Sequence, residues 1–204
     1  MRPSPPYSVI AVLSWPIVRG LYRLSSRGTE NLPEKGGFVL GSNHLSNFDP
    51  WPLGMPLWPR RFLRFMAKSE LYWWPLRYLL DACGAFPVRR GQRDVEAIET
   101  AVRLAREGNA VAMFPEGTRR RKGLVKRVES RPRSGAARIA LQAGVPLVPA
   151  AVKGTDGLMR LAQLRVAYGP AIELDDLRDS ELGEAARVAT ERLMTAIDEL
   201  ERSL

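Results

Sequence analysis

A single histidine stands five positions before an aspartate in Asn43-His44-Leu45-Ser46-Asn47-Phe48-Asp49-Pro50, and the chain holds no other imidazole. Proton transfer by a histidine near neutral pH therefore falls to His44 if it occurs at all. The spacing also supplies a partner. A tight turn over the intervening residues brings the Asp49 carboxylate back to one ring nitrogen, fixing the tautomer and leaving the other nitrogen to take a proton. A pattern this short also arises as a loop histidine ahead of a turn aspartate, so the rest of the chain has to decide.

Three further stretches bear on it. Phe114-Pro115-Glu116-Gly117-Thr118-Arg119 offers an acceptor (Glu116), a close backbone approach (Gly117), a hydroxyl (Thr118) and a cation (Arg119). That set suits a polyol phosphate, with the Arg119 guanidinium making forked hydrogen bonds to phosphate oxygens; a solvated turn is the alternative. Gly84-Ala85-Phe86-Pro87-Val88-Arg89-Arg90-Gly91 is an apolar segment ending in paired arginines, and reads on its own as a strand with a basic turn. Val145-Pro146-Leu147-Val148-Pro149-Ala150 reads as a buried strand.

The elements that would position these residues follow from hydrophobic periodicity. Phe38 to Ser42 is a short apolar run ending just before His44, and Arg61 to Ala67 alternates; both predict strands. Ser69 is expected to cap a helix through Asp81. Asp94 is expected to cap a second, with Ala97, Ile98, Ala101, Leu104 and Ala105 on one face and Gly108 at its end. Ala110 to Phe114 predicts a strand, Gly135 to Gln142 a helix closed by Gly144, and Pro146 to Val152 a strand. A strand at Leu164 to Tyr168 and a helix from Ser180 to Arg202 complete the chain. Strands alternating with helices predict an α/β fold around a mixed, largely parallel sheet. Working loops in such sheets lie beyond the carboxyl ends of strands, where both the His44 and the Phe114 loops leave.

Taken in this order, the four stretches resemble the glycerophospholipid acyltransferase family, the group containing 1-acylglycerol-3-phosphate acyltransferases. The resemblance runs from Phe38 to Val152 and rests on Asn-His-x4-Asp, Gly-x-x-Phe-x-x-Arg, Phe-Pro-Glu-Gly-Thr-Arg and Val-Pro-x-x-Pro. The second pattern departs: Pro87 stands where a large apolar residue is usual and Arg89 where an acid or polar residue is common, while Arg90 falls on the arginine position.

The resemblance implies a fatty acyl transfer from acyl-CoA or acyl-carrier protein to a hydroxyl of a glycerol-phosphate lipid, lysophosphatidate first, with no bound cofactor. His44 would be the general base and Asp49 its support. Glu116, Gly117, Thr118 and Arg119 would line the glycerol-phosphate site, Arg90 would be a further phosphate ligand, and Pro146 and Pro149 would shape the pocket. The departure at Pro87 and Arg89 keeps a glycolipid or another lysolipid open as acceptor.

Composition narrows the field. One cysteine, Cys83, excludes an intramolecular disulfide and a cysteine-cluster metal site, and with one histidine no metal ligation is expected. Net charge is +9, unevenly spread: residues 1–133 hold 23 Lys and Arg against 11 Asp and Glu, and residues 134–204 hold 8 against 11. Such asymmetry points to an anionic partner of the first two-thirds. Arg119 to Lys122, with Lys126, Arg127, Arg131 and Arg133, reads as a solvated basic face or as a rim for anionic lipid. Tyr7 to Leu24 has an apolar run too short to span a bilayer and no small-residue cleavage site. Its aromatics and following arginines suit a bilayer interface, as packing on its own domain also would.

The expectation is thus an interfacial segment over 1–30 and an acyltransferase domain over 31–204, peripheral or monotopic on the cytoplasmic face of the cell membrane. Its partners would be the phospholipid surface, the acyl donor carrier and a lysophospholipid. A basic membrane- or nucleic-acid-binding module without catalysis is the alternative of another class, but no nucleic-acid motif accompanies the charge, and none is expected as partner.

Overall fold

The computed structural model describes residues 4–88, 95–116, 121–122, 125–126 and 132–204. Among these, nine strands form: β1 (Ser25–Arg27), β2 (Phe38–Ser42), β3 (Leu63–Lys68), β4 (Ala85–Val88), β5 (Ala110–Met113), β6 (Arg121–Lys122), β7 (Val125–Lys126), β8 (Leu147–Lys153) and β9 (Arg165–Tyr168). Seven of them join in one sheet of order β1-β9-β8-β2-β5-β3-β4, while β6 and β7 make a separate antiparallel ribbon. Every neighbouring pair in the large sheet is parallel except β8 with β9. The expected mixed, largely parallel sheet flanked by helices is therefore the fold observed.

Alternation along the strands splits the interior in two. Val39, Val111 and Leu147 face one side and pack under α4 (Val95–Arg106), α5 (Gly135–Ala143) and α6 (Leu182–Arg202). Phe38, Leu40, Ala110, Ala112, Val148 and Val152 face the other, under α1 (Pro5–Pro16) and α2 (Pro50–Gly54). α6 sits so close to the sheet that a Cβ at Gly41 would lie 2.7 Å from Leu193 Cδ2, and the leucine side chain would have to shift to admit it. Gly144 closes α5 in the left-handed region at φ 67°, as a helix C-terminus favours.

One sequence expectation needs correction, and one strand had no expectation to match it. The helix expected from Ser69 to Asp81 is a 3₁₀ turn at Ser69–Leu71 followed by a separate α3 (Leu76–Ala82). Pro75 explains the break, because its ring displaces the backbone before it from helical geometry and it has no N–H to donate. β1 was not foreseen. Its residues, Ser25-Ser26-Arg27, are all exposed and carry no apolar alternation; their pairing with β9 makes the strand.

At the N-terminus Ser4 caps α1 by accepting from the Tyr7 N–H at 3.4 Å, with Pro5 in the first turn. The helix runs on through Pro16 into a π-helical turn, Ile17–Leu21. Among the described residues no helix is long and apolar enough to cross a membrane.

Candidate active site

Strands β2, β5 and β8 run parallel side by side, with Gly41 level with Met113 on one flank and Pro149 on the other. Their carboxyl ends therefore deliver three loops to one edge of the sheet. The first begins with Asn43, wholly buried, which replaces a strand's own pairing by side-chain bonds. Its Oδ1 accepts from Val152 N–H (2.8 Å) and its Nδ2 donates to the Val152 carbonyl (3.0 Å). His44 thus leaves β2 from a fixed point.

The loop then turns as the spacing predicts. The Nδ1 of His44 lies 2.7 Å from Asp49 Oδ2, and the same oxygen accepts from the backbone N–H of Leu45 (2.8 Å) and of Ser46 (3.0 Å). An oxygen that already accepts from two N–H groups can only accept a third bond, so Nδ1 carries the proton. In the neutral ring Nε2 then holds the free lone pair. Asp49 is 0% exposed and His44 6%, so this pair works in a setting where charge is weakly screened. Asp49 has a further contact, a Thr155 hydroxyl 2.5 Å from its Oδ1.

β5 delivers the second loop. Phe114 stacks on the imidazole with centroids 4.2 Å apart and planes 20° from parallel. The turn that follows contains Pro115 and the buried Glu116. The Pro115 carbonyl accepts from the Arg133 N–H at 2.7 Å, so exposed Arg133 returns the chain to this turn. Of the predicted site residues, His44, Asp49 and Glu116 are described and are gathered at one edge. Arg90, Gly117, Thr118 and Arg119 lie outside the described residues, although β4 ends at Val88 on that same edge.

Asn43, Phe114 and Thr155 are the residues whose contacts with the His44 loop were not anticipated. For Asn43 and Phe114 the signal was present, since both stand inside motifs already singled out. For Thr155 the one local cue is the glycine before it, at φ 93°. Cys83 is half-buried and burial pushes its thiol up, the reverse of what a thiolate nucleophile requires. Trp51, on α2, and Trp58 are partly buried against the core that α1 and α2 cover, whereas Trp73 and Trp74 are exposed.

The chain is similar to proteins that bear acyltransferase names. It is 33% identical over 182 residues to the 1-acyl-sn-glycerol-3-phosphate acyltransferase of Bacillus subtilis, covering 86% of each chain. It is 26% identical over 184 residues to the Streptococcus pneumoniae enzyme of the same name, of which it spans 64%. Its fold superposes on the crystal structure of the 1-acyl-sn-glycerophosphate (LPA) acyltransferase PlsC from Thermotoga maritima with a TM-score of 0.68. That match has 23% identity and covers 95% of this chain and 79% of that one. The family model described as Acyltransferase matches residues 23–153, a span holding both the His44 loop and the Phe114 turn. By that match and by its identity to the Bacillus enzyme, this chain belongs to the Acyltransferase family.

Proposed function

We propose that the chain is a 1-acyl-sn-glycerol-3-phosphate O-acyltransferase, converting lysophosphatidate to phosphatidate with acyl-CoA or acyl-carrier protein as donor and no bound cofactor. The observation that carries the reading is the 2.7 Å bond from His44 Nδ1 to a buried Asp49 carboxylate. It leaves one basic nitrogen on a ring that Phe114 joins to the Glu116 turn.

In this reading His44 Nε2 takes the proton of the acceptor hydroxyl as the oxygen attacks the thioester carbonyl carbon. The tetrahedral intermediate then collapses, the carbon–sulfur bond breaks, and the leaving thiolate recovers the proton from the imidazolium. Asp49 supports the ring while it is charged. No acyl-enzyme is needed, because thiolates leave readily and the alcohol has only to be positioned and deprotonated. The phosphate of the acceptor is assigned to Arg119 and Arg90, with Glu116, Gly117 and Thr118 along the glycerol. Arg133, returned to Pro115 by its backbone bond, adds a cation at the same turn.

The acceptor and product are lipids, and the reading places the enzyme on the cytoplasmic face of the membrane, peripheral or monotopic. Residues 1–30 would meet the bilayer and 31–204 carry the chemistry. The support is surface composition: Val9, Val12, Leu13, Trp15, Ile17 and Leu21 are exposed along α1 and its π-helical turn. Apolar residues at this density mark an interaction surface. The positive balance of residues 1–133 suits anionic lipid.

Purified protein, labelled acyl-CoA and a panel of lysolipid and glycolipid acceptors test the proposal. Wild-type turnover should be highest on lysophosphatidate, and His44→Ala should lower kcat by about 10²–10⁴-fold while vesicle binding is retained. Unchanged turnover in His44→Ala removes the base assignment, and preference for a glycolipid removes the acceptor.

A further inference from the structure

We propose that Thr155 is a positioning residue for acyl transfer: its hydroxyl holds the second oxygen of Asp49 and so sets the carboxylate against the His44 ring. The inference rests on the function proposed above. Asp49 is 0% exposed, and all three donors to its Oδ2 come from its own loop: His44, Leu45 and Ser46. Among the described residues, the donor to Oδ1 is Thr155, 106 positions away in the chain. A buried carboxylate oxygen without a donor is costly. The torsion that turns a carboxylate about its last bond is also soft. Rotation about that bond would carry Oδ2 off its three donors and Oδ1 off Thr155 together, so the Thr155 bond adds the restraint from outside the loop that fixes the carboxylate plane against the ring.

Thr155 is itself placed with little freedom. It is 2% exposed and follows Gly154. Gly154 has φ 93°, and a Cβ there would lie 2.2 Å from the Gln163 carbonyl oxygen. Glycine alone fits that corner, and the corner turns the hydroxyl beneath the His44 loop. Three residues earlier, Val152 holds Asn43 by its two backbone bonds. The loop is therefore fastened to β8 and its continuation at two points, one just before His44 and one on its partner. Thr155 lies two positions beyond the segment matched by the family model, 23–153.

Because the chain has one histidine, every imidazole signal in a proton–nitrogen correlation spectrum of the full-length protein belongs to His44. Thr155→Val should lower kcat about 10–100-fold with KM for lysophosphatidate within about twofold. It should also change the ring pattern from a single Nδ1–H tautomer to a mixture. Thr155→Ser should restore both. In an Asp49→Asn background, Thr155→Val should cost less than about threefold in kcat, since the hydroxyl acts through that carboxylate. Where Thr155→Val does not fold, Thr155→Ala replaces it.

A wild-type ring pattern in a folded variant without the hydroxyl overturns the inference, as does an equal loss of kcat with and without Asp49. The ring pattern needs no substrate. Absence of acyl transfer in the wild-type protein would sink the proposed function, while an unmoved imidazole spectrum would sink the role of Thr155.

Discussion

The two covers of the sheet are made differently. One consists of α4, α5 and α6, whose inner faces are dense in alanine: Ala101 and Ala105, Ala137 and Ala140, Ala186 and Ala189. Small side chains let these helices lie close, and their outer faces are charged. Arg187 pairs with Glu184 and Glu191, each at 2.6 Å, and Arg192 pairs with Asp176. The other cover is cut by prolines into short helices and turns around aromatic contacts, Tyr7 with Phe62 and Tyr22 with Trp51. It leaves Leu13 68% exposed and Trp74 73%. Among the described residues, one cover exposes few large apolar side chains, Val95 being the one on its helices, while the other exposes many. The His44 loop runs directly into α2 of the second cover, so the proposed chemistry grows out of that side.

The sharpest test of that contrast compares one leucine from each cover. Leu193 is 0% exposed and fills the space over Gly41. Leu193→Ala should cost about 2.7–5 kcal/mol, the loss of transferred side chain plus the cavity left behind. Leu13→Ala should change stability by no more than about 0.5 kcal/mol, as exposed substitutions do. Denaturant midpoints at constant slope measure both. Equal losses would mean that the two covers are sealed alike.

The same contrast explains what could be read from residues alone. β2, β5 and β8 and the amphipathic α4 to α6 are set by local periodicity, and the expectation for each lies close to the observed bounds. The bond from His44 to Asp49 was legible because both partners lie within one turn. β1 was not, since its exposed serines carry no pattern until β9 pairs with them. The break before α3 was written in Pro75, but the apolar residues around it outweighed that cue. Thr155 was beyond reach for a different reason: its partner is remote in sequence, and a hydroxyl after a glycine announces nothing by itself.

Tyr7 joins the second cover to the sheet and supplies a pH test. Its ring packs edge-on against Phe62 at 4.5 Å, and burial, with the Cys83 thiol nearby, pushes its phenol up to about 12. The folded state thus prefers the protonated phenol more strongly than the unfolded chain does. That contribution is complete below pH 10 and is lost as pH rises toward 12. For two units it amounts to about 2–3 kcal/mol. Tyr168, fully buried and donating to the Leu53 carbonyl at 2.8 Å, is raised by burial as well. Tyr7→Phe should therefore make the fall of Tm with pH above 10 shallower without abolishing it. An identical slope in the variant would mean that α1 leaves the sheet before Tyr7 ionises.

The smallest expected effect bears most directly on what completes the second cover. Trp73 and Trp74 stand in the turn before α3, 58% and 73% exposed, and α3 packs against α1. Folding is not what holds these rings in water, because little of either is buried. Indole suits the depth of lipid headgroups, where its apolar body leaves water and its N–H stays wet. With a bilayer as partner, replacing both by alanine should weaken partition onto anionic vesicles about tenfold and leave the thermal midpoint unchanged. Arg187→Ala, on the opposite cover, should leave vesicle partition as it is. Sedimentation with vesicles at two salt concentrations separates the apolar contribution from the charge of residues 1–133, because screening weakens the second alone. Equal partition for the double tryptophan variant and the wild type would place the lipid contact elsewhere on the molecule and leave the exposure of these two rings without a function.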